Sequence, residues 1–415
     1  MTSLIFYTGV GPLKPVINLS IVFLTGLITV FVASFGDEIA AFTFSFAQVN
    51  QQSMENLSFL MSATLIGSLC AAPVAMLLLR NFEVMQILIA IFCISILALI
   101  ISANFPISYV FYAAAFLMGM VSGIFWSVLS IVIPSYFKHD RLADINKFVQ
   151  SIRNAGYISA PFLAGILTAF FGATWSLGLV SILFIVAIPC SLLSVGRLAK
   201  TVNIKPHSGN QAGKKIIWPQ VLRFFQLPGM KITLLPLIVT ICTTSTFNVA
   251  FMYLLLINLH YSQATYGLIV SAISIGLMIG PIVLTSWAKK HGMGFAACMA
   301  ATTVGFSVCL SGAYQSIPWL YVVLLILGMA NGLQNVLMST FVMQIVPAEA
   351  RQQLMPTHIF IIQASVLTGF IIAGQVPVAS ARLLLIIAGI IAISAGLIGA
   401  AGNLVLYKKE ELPYQ

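Results

Sequence analysis

The chain has 415 residues, of which 60% are apolar and only 7% charged, and its mean hydropathy is +1.06. A soluble domain carries about 25% charged residues, so these charges are too few to cover a water-facing surface, and soluble-enzyme and nucleic-acid-binding classes are excluded. The net charge of +10 is then a matter of where the charges fall along a membrane chain.

A helix needs roughly 20 apolar residues to cross a bilayer. Runs of that kind lie at approximately 16–47, 57–79, 84–104, 107–136, 145–171 and 174–196 in the first part of the chain. They resume at 231–260, 264–288, 293–313, 318–346, 352–376 and 381–406. The expectation is an all-α membrane protein of 12 transmembrane helices. Of the 19 Lys and Arg, 17 fall in connections on one side, Arg382 alone is on the other, and Arg153 is inside the fifth span. Positive charge marks cytoplasmic loops, so both termini are expected in the cytoplasm, with the chain in the cell (inner) membrane. The first span is long and lacks the form of a short cleavable signal, so it reads as a retained helix.

Residues 197–230 break the apolar pattern with a cluster of Lys and Arg around His207-Ser208-Gly209-Asn210. Six spans precede this segment and six follow it, which divides the chain into 1–196, a basic cytoplasmic linker 197–230, and 231–415. The two parts repeat. Gly119-Met120-Val121-Ser122-Gly123 returns 209 residues later as Gly328-Met329-Ala330-Asn331-Gly332. Gly67 pairs with Gly276, Pro73 with Pro281, Arg141 with Arg351 and Gly165 with Gly374, all within one residue of that offset. Two parallel six-helix units point to a secondary transporter whose site lies between them near the midplane.

On these features, and on two local segments, the sequence resembles the major facilitator superfamily over nearly its whole length. Ser34-Phe35-Gly36-Asp37-Glu38-Ile39-Ala40-Ala41-Phe42 is similar to the Gly-Asp segment of helix 1 in the branch that holds macrolide efflux pumps and the enterobactin exporter. Lysophospholipid transporters stand nearby. Ile152-Arg153-Asn154-Ala155-Gly156-Tyr157 leads into Ala160-Pro161-Phe162-Leu163-Ala164-Gly165, which resembles the helix 5 antiporter motif with Ala twice in place of Gly. The signature between helices 2 and 3 is mostly missing, with only Arg80 kept. The resemblance implies alternating access by a drug:proton antiporter.

Two of the nine acids, Asp37 and Glu38, lie well inside a span. Intramembrane acids are costly and as a rule face a cavity where they work. Being adjacent, the two are about 100° apart on a helix, and they are not expected to face one cavity together. Asp37 shares a stripe with Ala33, Ala41, Phe44 and Gln48, and Glu38 with Ser34 and Ser45. The family resemblance puts the functional acid at Asp37. Desolvation favours the neutral form of a carboxyl, which suits reversible protonation.

Arg153 has two readings, binding an anionic or carbonyl-rich cargo or snorkelling to headgroups. Trp126 is a candidate aromatic wall, and His358, near the start of helix 11, a candidate titrating group. Asn248, Asn331, Gln334, Asn335, Gln344 and Gln363 are amides that could hydrogen-bond cargo or equally join helices, and the resemblance implies that helices 1, 4, 7 and 10 line the cavity, which gives Asn248, Gln334 and Asn335 the better claim. The six cysteines are scattered singly with no metal-ligand spacing, so neither metal nor disulfide is expected. No nucleotide-binding run occurs, so no cofactor is expected and an ion gradient, or the cargo's own, is the energy source. The expected function is proton-coupled export of an amphipathic drug, antibiotic or siderophore by a non-enzymatic, monomeric carrier in the lipid bilayer. The alternatives are a lysophospholipid flippase-type transporter, a proton-symport nutrient importer and a non-transporting membrane scaffold or sensor.

Overall fold

The computed structural model describes residues 19–49, 53–136, 139–202, 223–227, 229–346 and 351–408. Long helices account for nearly all of them. α1 (Leu19–Val49), α2 (Met54–Asn81), α3 (Val84–Asn104) and α4 (Ser108–Tyr136) come first. The helical run His139–Ser191 is interrupted at Gly172, with φ 80° and ψ 169°. We number its parts α5 (139–171) and α6 (173–202), the latter continuing through the turn Leu192–Gly196 and Arg197–Val202. The second series is α7 (Met230–Tyr253, with a π-helical turn Leu254–Asn258), α8 (Gln263–His291), α9 (Met293–Ala313), α10 (Ile317–Ile345), α11 (Arg351–Gly374) and α12 (Ala381–Lys408).

Among the described residues, eleven helical segments are long and apolar enough to cross a membrane. One of them, Val149–Ala199, has 51 residues and holds the Gly172 break, so it supplies two crossings. A Cβ at Gly172 would meet nothing within 4 Å. What that position requires is the backbone: a positive φ strains any residue with a Cβ. Most of the expected linker, 203–222, lies outside the described residues, as do Lys14, Lys138, Lys205, Lys214, Lys215 and Lys409 from the charge count.

In lipid every backbone group must be satisfied within the fold, and the hydroxyls follow the same rule. Thr29, Ser95 and Ser102 each donate to the carbonyl four residues back, at 2.8, 3.0 and 2.7 Å. Outward surfaces are apolar: Ile182 is 59% exposed, Ile282 76% and Ile398 72%. Water would oppose such a surface, whereas acyl chains solvate it. This is a multi-pass membrane protein.

Lipid is as apolar as leucine, so helices associate there by close packing and small residues. The α2–α4 crossing is built that way. A Cβ on Gly67 would strike Phe116 O and Met120 N, and one on Gly119 would strike Thr64 O. The α8–α10 crossing repeats it: Gly276 abuts Leu325 O and Met329 N, and Gly328 abuts Ile273 O. Each glycine and each partner in the second crossing lies 209 residues after its counterpart in the first. The repeat seen in sequence is thus carried by shared backbone contacts.

Within the first six helices, α1 lies against α5 at Gly156 and against α6 at Gly36, and Phe92 of α3 meets Phe125 of α4 and Phe184 of α6. In the last six, Thr233 of α7 donates to Asn403 of α12 at 3.0 Å, and Gly305 of α9 abuts Gly389 and Ile393 of α12. Arg382 donates to Gly312 O (3.0 Å) and Ala313 O (2.9 Å), closing the C-terminal end of α9 with a cation.

Contacts between the two series gather at the end where α1 finishes. Gly165 of α5 abuts Gln263 and Ala264, and Gly267 of α8 abuts Pro161 and Phe162, each helix giving its glycine to the other's backbone. Gly374 of α11 lies on Ser58 of α2, and the Tyr253 hydroxyl donates to Ser53 O. Tyr266 of α8 packs on Phe46 of α1 edge-to-face at 5.7 Å, with Phe42 at 6.4 Å and Phe251 at 6.2 Å. Polar, aromatic and glycine contacts together seal this end.

A candidate transport cavity between the two helical series

Below that seal lies a cavity of about 680 Å³, lined by α1, α2, α4, α5, α7, α8, α10 and α11. Its walls are largely apolar, with Met61, Met118, Phe247 and Phe370 among them. All of its formal charge comes from the first series: Asp37 and Glu38 on α1 and Arg153 on α5. The second series contributes neutral polar groups, Asn248, Ser274 and Asn331, and the phenol of Tyr266.

Both acids line the one cavity, against the expectation that 100° would separate them. The reason is the width of the arc that α1 presents. Asp37, Ala41 and Phe44 form one stripe and Glu38, Phe42 and Ser45 the next, and the cavity wraps both. At 1.5 Å per residue Asp37 lies about 27 Å from the start of α1 and about 18 Å from its end. The acids therefore sit toward the sealed end.

Arg153 points into the cavity and is fixed by aromatic rings. Its guanidinium carbon lies 4.3 Å from the Trp126 ring centre and 5.2 Å from that of Tyr157. Its Nε and Nη2 both donate to the Tyr157 hydroxyl, at 3.3 and 3.1 Å. Tyr157 is one turn on along α5, so the helix itself sets this pairing. These contacts hold the guanidinium at the cavity wall. Ser122 of α4 and Arg153 of α5 line the same cavity as the two carboxyls.

The other sequence candidates divide. Asn248 is exposed to the cavity between buried Phe247 and Val249. Gln334, Asn335 and His358 are outside the cavity wall. Gln334 is buried with its Oε1 unpartnered among the described residues, and Asn335 is exposed. His358 is buried beneath Phe224, ring centres 6.0 Å apart, with Nε2 unpartnered among the described residues. Tyr157, Ser122, Tyr266, Thr64, Ser68 and Ser274 are polar wall residues that sequence reasoning did not single out for the site, and Asn331, ranked there below Gln334 and Asn335, lines the cavity where those two do not. For Asn331 a signal existed, since it replaces Ser122 in the repeated Gly-x-x-x-Gly segment.

A multi-pass helical bundle with a charged cavity between two structurally repeated series has the architecture of a secondary transporter. The Major Facilitator Superfamily family model matches residues 26–355 and 236–411, and the chain belongs to that family. Among solved structures it is similar to a bacterial homologue of the iron transporter ferroportin in an inward-facing state: 14% identity, 94% of this chain and 99% of that one, TM-score 0.70. It is similar to the nucleoside transporter NupG at 14% identity over 93% and 99% of the two chains, TM-score 0.67. The POT family transporter PepTSo gives 12% identity over 93% and 99%, TM-score 0.66. At these identities the likeness is one of fold. No curated protein sequence matches the chain.

Proposed function

We propose that this transporter couples inward proton movement at the Asp37–Glu38 pair to export of an amphipathic small molecule by alternating access, as in the drug:proton antiporter branch. The observation that carries the reading is the placement of two carboxyls and one guanidinium on the wall of an otherwise apolar cavity. Such a cavity suits a bulky, largely apolar cargo with a few polar anchors; a sugar or amino acid would require several fixed polar partners. Trp126, Arg153, Asn248 and Asn331 are the proposed cargo contacts.

In this reading 1–196 and 231–415 are two six-helix bundles that rock about the cavity, joined by the basic linker 197–230. The termini are cytoplasmic, the protein works as a monomer in the inner membrane, and the sealed end faces outward. The reciprocal glycine contact of α5 and α8 then lies on the outer side, and the antiporter-like segment Ala160–Gly165 supplies half of it.

The test uses purified protein in liposomes containing a pH dye. Drugs, siderophores and lysophospholipids are offered to wild type and to the Asp37→Asn/Glu38→Gln double variant. Cargo-stimulated proton flux that disappears in the variant is expected. Cargo movement without proton flux would replace the reading with a facilitative carrier, and a strict need for a zwitterionic headgroup would replace it with a lipid transporter.

A further inference from the structure

A guanidinium presents paired N–H groups along its edges, and the edges of Arg153 are used unequally. The edge made by Nε and Nη2 donates to the Tyr157 hydroxyl, at 3.3 and 3.1 Å. The rings of Trp126 and Tyr157 lie 4.3 and 5.2 Å from the central carbon, and Trp126 is itself set edge-on against Phe125 at 5.3 Å. The other edge, Nη1 with the second hydrogen of Nη2, donates to nothing among the described residues, and no ion pair joins Arg153 to Asp37 or Glu38. A cation inside a span is costly. This one is oriented by rings and a phenol, and its free edge is left for an acceptor that enters the cavity.

Two kinds of acceptor fit such an edge: an anionic oxygen pair, as in a carboxylate, or an uncharged carbonyl oxygen. The charge of the cavity separates them. With both acids ionised, Asp37, Glu38 and Arg153 together carry −1, and the rest of the lining adds no formal charge. A second anion would be repelled between these largely apolar walls, where charges interact strongly. A carbonyl supplies the acceptor and no charge. Met61, Met118, Phe247 and Phe370 leave the remainder of the wall to an apolar body.

We propose that the free edge of Arg153 selects the cargo by an uncharged carbonyl, as in an ester or amide, on an apolar body, and that the cavity rejects the corresponding carboxylate. The proposal rests on the proton-coupled reading above, in which cargo enters after the acids have released their proton, and it supplies the chemical class of that cargo. Tyr157 is the positioning residue, because its hydroxyl pins one edge and so aims the other.

Three matched probes test this by equilibrium binding to the full-length protein in lipid nanodiscs, with empty nanodiscs as background. One is a naphthyl-terminated alkyl chain ending in a methyl ester; the others end in a methyl ether and in a carboxylate. Wild type is expected to bind the ester about tenfold more tightly than the ether, the worth of a hydrogen bond to a charged donor, and the carboxylate more weakly than the ester. Arg153→Met should erase the preference for ester over ether, and Tyr157→Phe should reduce it without changing ether binding. The Asp37→Asn/Glu38→Gln double variant should gain affinity for the carboxylate. Thermal unfolding reports whether each variant is folded, and the wild-type comparison needs no variant.

Equal binding of ester and ether by wild type overturns the proposal, as does binding of none of the three. A carboxylate bound more tightly than the ester makes Arg153 an anion site and overturns the choice of an uncharged group. An unchanged preference in folded Arg153→Met overturns the role of Arg153, and one in Tyr157→Phe overturns the role of Tyr157. Coupling is decided separately by the pH-dye assay. An Arg153-dependent ester preference without cargo-stimulated proton flux overturns the proton-coupled reading and leaves the carbonyl site. Flux with ester and ether bound alike does the reverse.

Discussion

The two helical series pack alike and differ in chemistry, and position-by-position comparison locates the difference. Counted forward by 209 residues, Asp37 becomes Thr246, Glu38 becomes Phe247, Trp126 becomes Asn335 and Arg153 becomes Ile362. Thr246 is buried and donates to Gly369 O of α11 at 3.1 Å, so it fastens two helices where Asp37 faces a cavity. Phe247 stacks on Phe251 at 4.7 Å and offers the cavity an apolar wall where Glu38 offers a carboxyl. The crossings that hold each series together kept their glycines, while the positions facing the cavity diverged. One series works as the charged partner and the other as the neutral one.

The largest effect should follow from erasing that asymmetry. Glu38→Gln is expected to lower proton-coupled transport about a hundredfold, the low end of the range for losing a group engaged in proton transfer. Thr246→Val, at the repeat counterpart of Asp37, is expected to leave coupling intact. It removes one helix-to-helix hydrogen bond and should lower stability by about 1 kcal/mol. Dye-reported proton flux and thermal unfolding of both variants separate the outcomes. Loss of coupling in Thr246→Val would show that the series are not divided in this way.

The next effect sharpens the likeness between the series. Gly119→Val and Gly328→Val force side-chain atoms into facing backbone at equivalent crossings, Thr64 in one and Ile273 in the other. Overpacking of this kind costs about 1–3 kcal/mol. The two variants should lower the unfolding temperature by similar amounts. A large effect in one and none in the other would mean that the crossings are alike in geometry and unlike in energy.

These contrasts also mark what a single sequence can and cannot convey. The spans were legible because lipid demands long apolar runs, and the break between the fifth and sixth was legible near Gly172. The repeat was legible because glycine is hard to replace where backbones touch. Asp37, Glu38 and Arg153 stood out because charge inside a span is rare and costly. Helix rotation was not legible. α10 is apolar nearly all round, since both lipid and neighbouring helices accept the same residues. Nothing in its pattern told Asn331, which reaches the cavity, from Gln334 and Asn335, which do not. The arc of α1 was misjudged for a related reason: a 100° separation excludes a shared face only when the face is narrow.

A smaller effect concerns Trp126, present in the first series and replaced by an exposed Asn335 in the second. Trp126→Leu keeps bulk and apolarity but removes the ring face beneath Arg153. A cation–π contact is worth about 0.5–2 kcal/mol, so cargo affinity should weaken severalfold, with helix packing unchanged. Replacement by Phe should recover most of the loss, and failure to do so would make the indole a direct cargo contact.

The smallest expected effect, and the finest test of the comparison, lies at Ser122 and Asn331. They occupy the same place in the repeated glycine segments, and both line the cavity. Ser122 belongs to the series that carries the two carboxyls, and Asn331 to the series that carries none among the lining residues. Ser122→Ala takes a hydroxyl from the wall that carries both acids, a loss worth about one hydrogen bond, and should lower proton flux at saturating cargo. Asn331→Ala removes a neutral group from the opposite wall, where the structure holds no acid among the lining residues of that series. It should weaken cargo binding by about the worth of one hydrogen bond, roughly fivefold, without changing proton flux at saturating cargo. If the two alanine variants lower that flux equally, the field of the whole cavity governs coupling and the Ser122 hydroxyl is incidental.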